Sequence, residues 1–236
     1  MRYHYVWLIW SATFLAPWLA LYIANAKYRA VMWRMSLLTS TLGLTEPIFV
    51  PEYWNPPSLF ELAQRTGFDI ESLLFSFAIG GIGTALYNTL TRFEVRPVET
   101  AERTHRRHRL HAVALMAPFV SFVPLYVLPW NPIYAAVGSL LIGASAAVLC
   151  RPDLARNALT GGALFLGLYA VFMLGLRCLT PGYIEQVWNL RALTGILIVG
   201  IPLEELLFGL AFGAYWTGLH EHFAWKRSAA LLTPAA

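Results

Sequence analysis

The chain has 236 residues, 58% hydrophobic and 13% charged, with a formal net charge of +4 and a mean hydropathy of +0.55. Apolar runs of bilayer-spanning length recur along it, which excludes a water-soluble class and indicates a multi-pass cell-membrane protein surrounded by lipid. The positive charge collects in short loops, where membrane orientation explains it and nucleic acid need not.

Seven spans are expected in chain order, since a helix needs about 20 apolar residues to cross the hydrocarbon. They fall near residues 3–25, 31–45, 68–91, 111–129, 132–150, 158–179 and 192–223, the second being short. The first is rich in Trp and Tyr and has no small-residue cleavage site, so it reads as a retained span and not as a secretory signal. Between the second and third lies "TEPIFVPEYWNPPSLFELAQRTG". Pro51, Pro56 and Pro57 exclude a continuous helix there, while Ser58 to Glu61 reads as a capping box opening a short interfacial helix.

Lys27, Arg29 and Arg34, the run Arg92 to Arg109, Arg151 with Arg156, and Lys226 with Arg227 all fall on one side if there are seven spans. The positive-inside rule then puts the N-terminus outside and the C-terminus in the cytoplasm.

The chain also repeats itself. "DIESLLFSFAIGGIGTALYN" from Asp69 aligns without a gap on "PLEELLFGLAFGAYWTGLHE" from Pro202, pairing Glu71 with Glu204, Phe75 with Phe208, Gly80 with Gly213 and Thr84 with Thr217. Upstream, Trp54-Asn55 pairs with Trp188-Asn189 after a one-residue slip. The offset maps span one on five, two on six and three on seven. The expected fold is therefore an all-α membrane protein of two parallel three-helix repeats joined by a linker helix, 3+1+3. Its units are residues 1–92, a basic cytoplasmic loop with the linker helix at 93–131, and residues 132–236.

Glu204 and Glu205 stand inside "GIPLEELLFG". A carboxylate at the centre of a membrane helix costs about 2.5–3.5 kcal/mol, so it usually faces the bundle interior and marks function. Successive helical residues diverge by about 100°, so one of the two is expected to face a cavity and the other a neighbouring helix. The pseudo-twofold further suggests that Glu71 approaches Glu204.

The segment Pro202-x-Glu204-Glu205-x-x-Phe208, its weaker copy Glu71-x-x-x-Phe75, and the Trp-Asn upstream of each resemble the lycopene cyclase domain family. These are membrane-embedded, flavin-free carotenoid cyclases that occur as paired small subunits or as one fused chain, and this sequence is similar to the fused form. It departs from the family in having Gly209 where a second Phe is frequent, and Ser72 in place of the acidic residue beside Glu71.

The resemblance implies a lipid-soluble carotenoid substrate and an intramolecular, lyase-like isomerisation. A linear polyene end group is protonated at its terminal double bond, closes through a tertiary carbocation, and loses a different proton. No electrons are exchanged, so the chemistry requires no redox cofactor. Glu204 is expected as the acid, with Glu205 and Glu71 as base or proton-holding partner. Phe75, Phe208, Trp54 and Trp188, with Asn55 and Asn189 beside the tryptophans, are the substrate-binding candidates, the rings acting by cation–π attraction.

Metal chemistry is not expected. Cys150 and Cys178 have no metal-ligand spacing. The histidines of His220-Glu221-His222 diverge on a helix, and His105, His108 and His111 are set among arginines that oppose a cation. Gly80-Gly81-x-Gly83 and Gly209-x-x-x-Gly213 read as close helix contacts. Two other functions share the outline: a hydratase, in which water captures the cation, and a non-catalytic carotenoid-binding or transport protein. A retinal Schiff base is opposed by the lysines, since Lys27 and Lys226 both lie in cytoplasmic flanks.

Overall fold

The computed structural model describes residues 3–91 and 94–229. Arg92, used in the charge argument, lies outside them. The described chain is mostly helical. The first half contains α1 (Val6–Thr13), α2 (Leu15–Ala24), α3 (Arg29–Ser40), the short α4 (Glu46–Phe49) and α5 (Leu62–Thr66), and the long α6 (Ile70–Thr91). After it come β1 (Glu94–Pro97) and α7 (Thr100–Arg103). The second half contains α8 (His111–Tyr126), α9 (Pro132–Cys150), α10 (Ala155–Leu179), α11 (Tyr183–Val187), the two-residue strands β2 (Leu197–Ile198) and β3 (Ile201–Pro202), α12 (Leu203–Phe223) and β4 (Lys226–Ala229).

Among the described residues, five helical stretches are long and apolar enough to cross a membrane: Val6–Ala24, Ile70–Thr91, Arg106–Tyr126, Pro132–Cys150 and Pro152–Leu179. The expected second and seventh spans are not among them. α3 ends at Ser40, and a 3-10 turn, Thr41–Thr45, completes that segment. α12 has 21 residues but carries Glu204, Glu205 and Glu221. It also starts later than residue 192. Leu197 and Ile198 pair with Pro202 and Ile201 in a hairpin, whose two-residue turn, Val199-Gly200, has φ of 51° and 76°. Both turn residues are thus left-handed, as a tight hairpin matching strand twist requires, and a helix cannot pass through them.

The expected capping box is not formed. Ser58 Oγ instead accepts from the Ala63 amide at 2.8 Å and donates to Gln64 at 3.0 Å. Glu61 turns outward to Arg65 at 3.0 Å. The interfacial helix therefore begins one turn late, as α5. Asp69 caps α6 by accepting from the Ser72 amide, which relieves one orphan donor of the helix start.

α6 packs against α1, α2 and α3, and α12 packs against α9, α10 and α6. Two close approaches rest on glycine. A Cβ at Gly80 would lie 3.0 Å from the Met35 carbonyl of α3, and one at Gly213 would lie 2.9 Å from the Gly161 carbonyl of α10. Any larger residue at either position forces the paired helices apart.

The basic segments meet at one end of the bundle. β1 pairs antiparallel with β4, and Arg151 donates to the Lys226 carbonyl at 2.8 Å. Arg227 bonds Glu102. Beneath them the buried Glu221 accepts from Asn88 at 2.6 Å and from Tyr28 at 3.3 Å. At the other end, the Asn55 amide donates to the Val187 carbonyl at 2.8 Å and the Asn189 amide to the Tyr53 carbonyl at 2.9 Å. These reciprocal bonds make an antiparallel bridge between Trp54 and Trp188.

Candidate functional site

A cavity of about 310 Å³ opens between α6, α12 and the Trp54–Trp188 bridge. Its volume lies at the lower end of the range for small-molecule sites. Each long helix contributes one stripe. From α6 come Ser72, Phe75, Ser76 and Ile79, and from α12 come Glu205, Phe208, Phe212, Tyr215 and Trp216. Both sets follow helical spacing of three and four, so each is a single face turned inward.

Of the adjacent glutamates it is Glu205 that lines the cavity. Tyr53 and Tyr169 donate their hydroxyls to its carboxylate, and Trp188 donates Nε1–H at 2.7 Å. All three partners are donors, so the carboxylate acts throughout as an acceptor. Donors from three different segments also fix its direction.

Glu204, the expected acid, is buried outside the cavity lining. Its Oε1 accepts from the Thr194 amide at 2.8 Å, the Thr194 hydroxyl at 2.7 Å and Tyr134 of α9 at 2.9 Å. It ties the chain before the β2–β3 hairpin to the start of α12. Glu71, aligned with it in sequence, also holds a loop: it is fully buried and accepts from the Leu59 amide at 2.7 Å. Ser72, the counterpart of Glu205, faces the cavity. The matched position therefore anchors a loop in each half, and the residue after it faces inward.

The aromatic candidates divide from the amides. Phe75, Phe208, Trp54 and Trp188 all line the cavity. Phe75 and Phe208 lie on the same ring, Tyr169, with centroids at 6.3 and 5.8 Å. Asn55 and Asn189 are exposed and absent from the lining. Their backbone amides build the bridge, and Asn189 Nδ2 bonds the Glu52 carbonyl at 3.0 Å, so both work outside the cavity. The pattern that singled out Trp-Asn reflected the strand bridge.

One acidic residue escaped the sequence reading. Glu46 lines the cavity, is 6% exposed, and has an Oε1 without a hydrogen-bond partner among the described residues. The Ser72 hydroxyl and the Trp54 indole lie beside it. Burial, with Asp69 adding repulsion, pushes its carboxyl up to about 8. It sits just past the second expected span and has no counterpart in the repeat, so neither signal used in the sequence marked it.

Residues 131–223 match the lycopene cyclase family model. The lycopene cyclase match runs from Asn131, which caps α9, to the last residue of α12, and so contains Trp188, Glu204, Glu205 and Phe208. No curated protein and no solved structure matches the chain. Among the described residues, His108, His111 and Cys150 form the group close enough to share a metal ion.

Proposed function

We propose that the protein is a lycopene cyclase-like carotenoid cyclase that converts a linear polyene end group to a ring by carboxyl acid-base catalysis without net redox change. The observation that carries this reading is a single glutamate, Glu205, held by three donors in an aromatic-walled cavity, within a stretch that matches the lycopene cyclase family.

The chemistry follows from the two cavity carboxyls. Glu46, protonated at neutral pH, gives its proton to the terminal double bond and leaves a tertiary cation. A neighbouring π bond closes on that cation, forming the ring bond and moving the charge into the ring. Glu205 takes the ring proton and the alkene re-forms. Mass is unchanged; one proton has passed from Glu46 to Glu205 and returns before the next turnover. Cavity rings stabilise the cation, with Trp54, Trp188, Phe75 and Phe208 as its walls. Glu204 and Glu71 hold the two loops that shape the cavity, and so act as positioning residues.

The architecture we propose is seven spans in a 3+1+3 parallel repeat, with units at residues 1–92, 93–131 and 132–236. Supporting it are the matched roles of Glu71 and Glu204, the reciprocal bonds at Trp54–Trp188, and equivalent glycine approaches at Gly80 and Gly213. The clustering of the basic segments at one end supports a cytoplasmic C-terminus and an outer N-terminus in the cell membrane.

The test is pigment analysis of lycopene-accumulating bacterial cells expressing the chain beside Glu205→Gln and Glu46→Gln at matched protein levels. A product of unchanged mass with cyclic end groups, lost in Glu205→Gln, is expected. A gain of one water would favour the hydratase. Unaltered lycopene with folded protein would sink the cyclase reading for that substrate and favour a binding role.

A further inference from the structure

At the basic end of the bundle, far along α12 from Glu205, three donors from separate segments converge. His108 lies in the 3-10 turn Arg106–Leu110, His111 opens α8, and Cys150 closes α9. Cys150 Sγ is 3.5 Å from His108 Nδ1 and 3.6 Å from His111 Nδ1, and all three donor atoms lie within 4.8 Å of one another. A tetrahedral zinc ion with Zn–S of about 2.3 Å and Zn–N of about 2.0–2.1 Å sets its sulfur and nitrogen ligands about 3.6 Å apart. Both sulfur–nitrogen distances already stand at that spacing.

A second observation points the same way. His222, from the end of α12, is wholly buried, and among the described residues neither of its ring nitrogens has a hydrogen-bond partner. Its ring lies 4.5 Å from that of His111, whose own Nε2 is also unpartnered. Buried imidazole nitrogens without partners are costly in apolar surroundings. On His111, which is stacked on Trp225 at 4.0 Å, a metal at Nδ1 would use the lone pair otherwise spent on a weak thiol contact.

Two arginines near the cluster, Arg151 and Arg107, each meet an acidic partner. Arg151 forks onto Asp153 through two bonds of 2.8 and 2.6 Å, and Arg107 reaches Glu102 at 3.5 Å. Arg107 Nε also lies 3.4 Å from His108 Nε2. A metal at His108 Nδ1 puts the ring proton on Nε2, so this contact opens on binding and Arg107 turns toward Glu102.

We propose that His108, His111 and Cys150 bind one zinc ion, with the fourth position open on the side of His222. Cys150 releases its proton to bind as thiolate. The ion would cross-link the ends of α8, α9 and the loop before α8, holding them against α12 at the end opposite the bridge. Two imidazoles and a thiolate suit zinc better than the hard, oxygen-seeking cations. The proposal stands apart from the cyclase reading, since none of these residues lines the cavity.

The experiment uses the full chain in detergent micelles, stripped with a chelator and titrated first with zinc against a chromophoric competitor and then with cobalt. One equivalent of zinc is expected, and a cobalt form with a thiolate-to-cobalt charge-transfer band in the near ultraviolet. Cys150→Ser should lose the band and bind zinc at least about tenfold more weakly, while Cys178→Ser, at the exposed cysteine, keeps both. His111→Ala is the second variant, expected to shift the cobalt spectrum and weaken zinc in folded protein. Absence of the band in the wild-type chain, its loss in Cys178→Ser, or wild-type zinc affinity in both Cys150→Ser and His111→Ala would each overturn the proposal.

Discussion

Trp54 and Trp188 face each other across an antiparallel bridge with ring centroids 5.3 Å apart, and each indole attends a different cavity carboxyl. Trp188 donates to Glu205 at 2.7 Å, and Trp54 lies beside Glu46. Two loops, about 130 residues apart in sequence, thus bring both carboxyls under one aromatic roof.

Trp188→Phe keeps an aromatic ring, though a smaller one, and removes the N–H. A hydrogen bond to a charged group contributes about 1.5–3 kcal/mol, so turnover should fall by roughly one to two orders of magnitude if the bond matures in the transition state. Cyclic-product formation per mole of folded protein measures it. Activity within twofold of wild type would show that Tyr53 and Tyr169 suffice to orient Glu205.

The adjacent glutamates should behave differently. Glu205→Gln is expected to lower turnover at least about 100-fold with little change in thermal unfolding. Glu204→Gln keeps an acceptor oxygen for Thr194 and Tyr134 and should retain most activity, whereas Glu204→Ala strands those donors and should cost about 2–4 kcal/mol of stability. Paired turnover and detergent-melting measurements separate the two. A dead but stable Glu204→Gln would return the acid's role to Glu204.

Glu46 sets a pH dependence. Its carboxyl sits at about 8 in the folded chain against an ordinary 4.5, so the folded state holds a proton that the unfolded chain releases. Its stabilising contribution is complete below about pH 4.5 and is lost as pH rises toward 8, at up to about 1.4 kcal/mol per pH unit. Turnover should fall about tenfold per unit above pH 8, as the acid form is depleted. Glu46→Gln should flatten the dependence of melting temperature on pH and reduce turnover by about 10²–10⁴. Wild-type activity that keeps rising above pH 8 would remove Glu46 from the acid's role.

Gly213→Ala tests the helix contact. Its Cβ would meet the Gly161 carbonyl at 2.9 Å and Gly162 Cα at 3.0 Å, which are backbone atoms unable to rotate away. A loss of about 1–3 kcal/mol is expected. Gly167→Ala, where nothing lies within 4 Å, should be neutral in the same unfolding assay.

Much of this molecule was legible in its sequence, because membrane physics is local. A bilayer demands long apolar runs and satisfied backbone groups, so the long helices, the basic end and the break in helix at the prolines could be read one stretch at a time. Aligning the two glutamate-bearing segments exposed Phe75 with Phe208 and Trp54 with Trp188, since spacing along a helix preserves which residues share a face. Three things depended on contacts between distant segments. The side on which Glu204 and Glu205 fall is decided by where α9 and the Thr194 loop stand, because a 100° step on α12 separates a cavity wall from a loop anchor. Glu46 became visible only when the chain after α3 folded over the cavity and took its carboxyl out of water. His108, His111 and Cys150 show no ligand spacing in sequence because they meet through the packing of α8 on α9; donor geometry is a property of space, and only the tertiary fold brings it about.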